Sequence, residues 1–109
     1  MSAAKTTTFF IYITAKDKDE ARKIGKALVE QRLAACVNIL DNMNSLYWWE
    51  GRVQDAREAV LIAKTSNAAA PRVREVLARE HPYEVPAILT LALADVNAPY
   101  RDWLMQGIA

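Results

Sequence analysis

Residues 33–65, LAACVNILDNMNSLYWWEGRVQDAREAVLIAKT, decide the fold. The run 33–40 (LAACVNIL) reads as a strand. Asp41-Asn42-Met43-Asn44 carries turn-type residues, the pattern of a kink or bulge inside a continuing strand. Residues 45–49 resume the extended pattern, and Glu50-Gly51 reverses the chain, the glycine supplying the positive φ of a tight hairpin. The return arm, 52–65, is polar at first and apolar later. Parity puts Glu58, Val60, Ile62 and Lys64 on one face and Ala59, Leu61, Ala63 and Thr65 on the other. Arms of about fifteen residues at roughly 3.3 Å each reach about 50 Å. A compact domain of this length has a radius of gyration of only about 13 Å. The tip, with Tyr47, Trp48 and Trp49, must therefore project beyond its own sheet. Free strand edges bearing aromatics are unstable as bare surfaces, so pairing with another subunit is expected.

The flanks complete the pattern. Residues 8–14 (TFFIYIT) suit a central strand. Asp17 with Glu20 three residues later has the form of an N-terminal capping box. Ala21, Ile24, Leu28 and Val29 then form the apolar stripe of a helix expected over 18–32. Ser66 and Asn67 are N-cap candidates for a second helix, with Pro71 in its first turn and its end at Glu80. A fourth strand follows over 87–93. Tyr100, Trp103 and Leu104 at i, i+3, i+4 predict a short terminal helix over 100–106, stopped by Gly107. The order β-α-β-β-α-β is an α+β, ferredoxin-like sandwich: an antiparallel sheet with both main helices on one face and the other face left bare. One domain, 1–109, is expected, with residues 1–7 flexible.

Composition removes several functions. With 14 basic and 13 acidic residues the net charge is +1, so no global field recruits nucleic acid or an anionic membrane. No apolar run is long enough to span a bilayer. The expected third strand lacks the aromatics and glycine of an RNA-stacking sheet. Only three glycines occur, in no phosphate-cradling loop, and no Gly-x-Ser-x-Gly is present. One cysteine excludes an internal disulfide and agrees with a reducing, cytoplasmic setting. Cys36 lies in an apolar run and reads as a buried, inert thiol. Trp48 and Trp49 are adjacent, so a strand turns them to opposite faces, and hiding both requires a second covering layer.

The unusual chemistry gathers at 81–86, HPYEVP, where the second helix must stop and the fourth strand begins. His81 is the sole histidine. With Glu80 and Glu84 beside it, it is a candidate metal ligand that needs further donors. Glu58 and Lys64 share a strand face among apolar neighbours. Lys64 then lines a candidate anion or metabolite pocket, with Tyr47, Trp49 or Tyr83 nearby. The alternative is that Glu58 and Lys64 simply reach water or an intersubunit partner. Glu58 or His81 acting as a base in an unrecognised reaction is a third reading.

Five ordered motifs carry a resemblance. They are Arg32-Leu33-Ala34-Ala35-Cys36, Ser45-x-Tyr47-x-Trp49-Glu50-Gly51, Lys64-Thr65, His81-Pro82-Tyr83-x-x-Pro86 and Tyr100-x-x-Trp103. In this order the chain resembles the CutA divalent-cation tolerance proteins, from about Phe9 to Trp103. The resemblance implies a ferredoxin-like subunit in a homotrimer with an architecture like that of PII signalling proteins. It also implies a role in tolerance of copper and other divalent cations, without catalysis. A copper site of this family implies a cysteine late in the first strand and two histidines ahead of Pro-Tyr. The matching positions here are Ile13, Glu80 and His81, so weak binding of copper or another divalent cation by His81 and a carboxylate is expected. A PII-like sensor taking a small anionic metabolite at the intersubunit cleft is the second reading. Its pocket and interface residues are Tyr47, Trp49, Glu50, Glu58, Lys64, Tyr83 and Glu84.

Overall fold

The computed structural model describes residues 8–81 and 86–109, so the expectations for residues 1–7 and for Tyr83 and Glu84 lie outside the described residues. The elements run β1 (Thr8–Ala15), α1 (Lys18–Glu30), β2 (Cys36–Trp49), β3 (Arg52–Ser66), α2 (Ala70–Glu80), β4 (Ile88–Ala92) and α3 (Ala98–Gln106). The sheet order is β2-β3-β1-β4, every pair antiparallel. This is the ferredoxin-like arrangement expected from the element order.

The alternation read in 52–65 holds. Ala59, Leu61 and Ala63 are buried with Ile11, Ile13 and Ala15 of β1 beneath α1 and α2, which contribute Ala21, Ile24, Leu28, Val73, Val76 and Leu77. Thr65, on the same side, is buried and donates its hydroxyl to the Leu33 carbonyl at 2.6 Å. By register, the opposite face carries Phe10, Tyr12, Thr14, Leu40, Val60, Ile62, Lys64, Leu89 and Leu91; α1 and α2 lie on the other side, and α3 meets this face at Lys64. Leu40, Leu89 and Leu91 are accordingly exposed. Cys36 sits on this open face opposite Lys64 and is half-buried, which corrects the expectation of a buried thiol.

The bulge falls where the turn-type residues stand. Leu40 pairs with Val60 and Met43 with Glu58, so Asp41 and Asn42 together oppose Ala59. Asn42 takes φ +58, and its N–H donates to the Asp41 carboxylate at 2.8 Å. The extra residue reverses the parity of β2. Ser45, Tyr47 and Trp49 therefore share the face of Leu40 and Glu58, whereas Leu46 and Trp48 turn to the helix side, where no helix reaches them. Beyond Ala59, β3 has lost its β1 partner, and 43–58 continues as a two-stranded ribbon. The molecule measures 50 Å along its longest axis and has a Cα radius of gyration of 15.0 Å, so the ribbon projects as expected.

Both main helices differ in detail from the sequence reading. Asp17 caps α1, accepting from the Glu20 N–H at 2.9 Å, while Glu20 reaches back to the Lys16 N–H at 3.0 Å. The helix ends at Glu30 rather than Arg32, and Val29 is exposed rather than part of the buried stripe. Arg32 takes φ +55, with its N–H on the Val29 carbonyl and that of Leu33 on the Leu28 carbonyl. That is a Schellman stop built without its usual glycine. We expect Arg32→Gly to raise stability by about 1 kcal/mol, because the left-handed conformation no longer carries a Cβ penalty; chemical denaturation at fixed protein concentration measures it. In α2, Ser66 caps the preceding turn, accepting from the Ala69 N–H at 3.0 Å, and the helix itself starts at Ala70 without a side-chain cap. β4 and α3 depart from expectation only by one or two residues at their ends.

Candidate functional site

The step between the full sheet and the ribbon creates a groove of about 710 Å³. Its lining comprises Thr14 and Lys16 from the end of β1, Ser45, Leu46, Tyr47 and Trp49 from β2, Ala56, Arg57 and Glu58 from β3, and Ala87 ahead of β4. The location follows from the register. β1 pairs with β3 as far as Ala15–Ala59, so at 56–58 β3 runs on past the end of β1 and borders the groove. Among the described residues the lining holds two cations, Lys16 and Arg57, and one carboxylate, Glu58, beside two aromatic side chains. The wall thus sets positive charge beside aromatic surface.

The structure thus brings together Tyr47, Trp49 and Glu58. Lys64 is not with them. It lies six residues along β3 from Glu58, roughly 20 Å away at strand rise, where its ammonium meets the Tyr100 hydroxyl at 3.0 Å. Lys16 and Arg57 supply the positive charge at the groove instead. Neither was singled out from sequence, because charged residues at strand ends read as solvated. Only the point at which β1 stops against β3 turns them toward one cavity.

Glu50 is at the ribbon's tip. Trp49 pairs with Arg52 around the two-residue loop Glu50-Gly51, with φ +51 and +80, a type I′ turn. A non-glycine residue in that region is disfavoured. Here the Trp49 indole N–H donates to the Glu50 carboxylate at 2.8 Å, and the Gln54 amide donates to the Trp49 carbonyl at 3.2 Å. Together these hold the tip closed and orient the indole that lines the groove.

His81 terminates α2, with its own N–H on the Leu77 carbonyl at 2.9 Å. Its ring is buried, and Nε2 lies 2.6 Å from the Thr14 carbonyl oxygen. A carbonyl only accepts, so Nε2 carries the proton. Glu80, next in sequence, faces elsewhere. It lines a second groove of about 510 Å³ between the start of α1 and the end of α2, with Asp17, Asp19, Glu20 and Lys23. Ile13, the position matching the copper-site cysteine, is wholly buried in the core. Among the described residues, no three of His, Cys, Asp and Glu converge as a cation cage. Ile13, Glu80 and His81 therefore do not fit a tight chelating site: one is hydrocarbon, and the other two point into different surroundings.

The family model of the CutA1 divalent ion tolerance protein matches residues 9–107. The chain belongs to the CutA1 family. It is 45% identical over 97 residues to the divalent-cation tolerance protein CutA of Thermus thermophilus, covering 89% of this chain and 94% of that one. It is 34% identical over 106 residues to the chloroplastic CutA 1 of rice, Oryza sativa, covering 95% of this chain but 60% of that longer protein. Among solved structures, the periplasmic divalent cation tolerance protein CutA from Archaeoglobus fulgidus superposes with a TM-score of 0.89 at 36% identity. The match covers 94% of this chain and 99% of that one. No helix among the described residues is long and apolar enough to cross a membrane.

Proposed function

We propose that this CutA1-family chain acts as a homotrimer in cation tolerance, binding copper or another divalent cation weakly and catalysing no reaction. The observation that carries the assembly is the ribbon. Trp48 is 73% exposed, Leu46 68% and Val53 56%, on the two-stranded ribbon that runs beyond the end of β1. The bare sheet face adds Leu40, Leu89 and Leu91. Surfaces of this kind are stable when a neighbouring copy covers them. A ferredoxin-like subunit resembling PII proteins closes such contacts with three copies around one axis. Sedimentation velocity at micromolar concentration is expected to give a single trimeric species. Trp49→Ala should shift it toward smaller species on dilution, and a stable parent monomer would refute the assembly.

For the cation, the names of relatives refer to divalent-cation tolerance, and of the three copper-site positions only His81 keeps the residue the resemblance implies. We expect Cu(II) to bind in the micromolar range or weaker, and His81→Ala to abolish most of that binding. A calorimetric titration in which the variant equals the parent would remove His81 from the reading. The single cysteine supports a cytoplasmic setting.

The groove favours a second, PII-like reading. Lys16 and Arg57 beside Tyr47 and Trp49 present charge and aromatic surface to a small anionic metabolite at the edge where another subunit would dock. A thermal-shift screen with nucleotides and carboxylic acids checks it: a ligand that raises the melting temperature of the parent but not of Arg57→Ala supports the sensor role.

A further inference from the structure

We propose that Lys64, Tyr100 and Trp103 form a separate binding site for a small anion carried on a planar ring, of the benzoate or phenyl phosphate type. Lys64 is half-buried at the end of the sheet. Its ammonium sits 3.0 Å from the Tyr100 hydroxyl but 5.2 Å from the centre of that ring, at its hydroxyl end rather than over its face. The Phe10 ring, at 6.0 Å, lies at the outer limit of a cation–π contact. An ammonium has three donors. Among the described residues, only the phenol oxygen accepts from it, and no carboxylate pairs with it. A charge partly withdrawn from water without a counter-charge favours an anion from outside.

The same place supplies the platform for a ring. Tyr100 and Trp103 are three apart on α3 and therefore share one side of the helix. Their ring centres are 5.5 Å apart at a tilt of 32°, and the indole is 52% exposed. Leu104, 1% exposed, anchors the helix beside them. A flat ligand laid on the free indole surface brings its carboxylate or phosphate to the unused ammonium donors. This site is distant from the ribbon groove, so its existence depends neither on that reading nor on the cation reading.

The test uses the full-length, assembled protein labelled with ¹⁵N, the Trp103 indole resonance being assigned with Trp103→Phe. Benzoate and phenyl phosphate are titrated, with acetate and inorganic phosphate as ringless controls. We expect at least one ringed anion to shift the Trp103 indole signal and to bind more tightly than its ringless counterpart. The tighter of the two identifies carboxylate or phosphate as the preferred group. Lys64→Met should weaken that binding about ten- to hundredfold, the range of a charge-assisted hydrogen bond, and Lys64→Arg should retain it. Trp103→Leu, a surface change that leaves the core intact, should weaken only the ringed anions. The proposal is overturned if neither ringed anion moves the indole signal, if Lys64→Met binds as the parent does, or if ringless anions bind equally well.

Discussion

Leu61→Ala should lower the unfolding free energy by about 2–5 kcal/mol, the largest single loss expected of any conservative truncation in this chain. Leu61 is wholly buried in the middle of β3, between Ile13 and Ile39 in the register, beneath α1. The helix comes close there because residue 25 is glycine. A Cβ at Gly25 would stand 2.9 Å from a Val37 methyl and 3.1 Å from Leu61 Cδ1. The leucine thus fills the hollow that Gly25 leaves, and truncation opens a cavity that rigid neighbours cannot close. The pair is testable as a cycle. Gly25→Ala alone gains helix propensity but meets Val37, whose branched side chain turns stiffly. In the Leu61→Ala background one of its two clashes is gone, so its cost should fall. Urea midpoints at one fixed protein concentration measure all four proteins, since the assembly proposed above would make apparent stability concentration-dependent. Strict additivity would show that the two residues do not share the space described.

Gly51→Val should cost about 1–3 kcal/mol and open the ribbon tip, although its side chain would touch nothing. No atom lies within 4 Å of a Cβ built there. The entire penalty is conformational, because φ is +80 and a β-branched residue is a genuine outlier in that region. Gly51→Asn should lose much less, asparagine being tolerated at positive φ. If valine and asparagine prove equally harmful, a missing contact rather than backbone strain is responsible. The prediction reaches the groove as well. A tip forced out of its type I′ turn misplaces Trp49, whose indole is held by Glu50 at 2.8 Å, and the proposed subunit association should weaken along with it.

Much of the architecture was readable because local chemistry and tertiary demand agree. The Asp17–Glu20 pair starts α1 as its spacing implies. The alternation of 59–65 matches the side on which helices lie. The turn-type run 41–44 marks the bulge, and Glu50-Gly51 the reversal. Reading failed where the chain uses an atypical residue. Arg32 at φ +55 does what glycine usually does, so nothing in its identity announced the end of α1, and Val29 fell outside the buried stripe. Ser66 was recognisable as a cap, but it serves a turn one step before the helix.

The candidate site was less legible than the fold. Tyr47, Trp49 and Glu58 line one groove because the two strands of one hairpin bring them side by side. Lys64 shares their strand face yet stands far from them, since facing one side says nothing of position along the strand. Lys16 and Arg57 enter from elements whose mutual endpoints no local pattern encodes.

The amino-acid order by itself determined the succession of strands and helices, the buried side of β3 and the length of the hairpin, because each depends on periodicity and turn chemistry within a few residues. Tertiary structure alone decided the groove and the company of Lys64. A bulge of one extra residue reversed the parity of β2, and the pairing of β1 with β3 stopped at Ala59. Both are properties of register between distant segments, and which side chains share a cavity follows from register rather than from spacing in the chain.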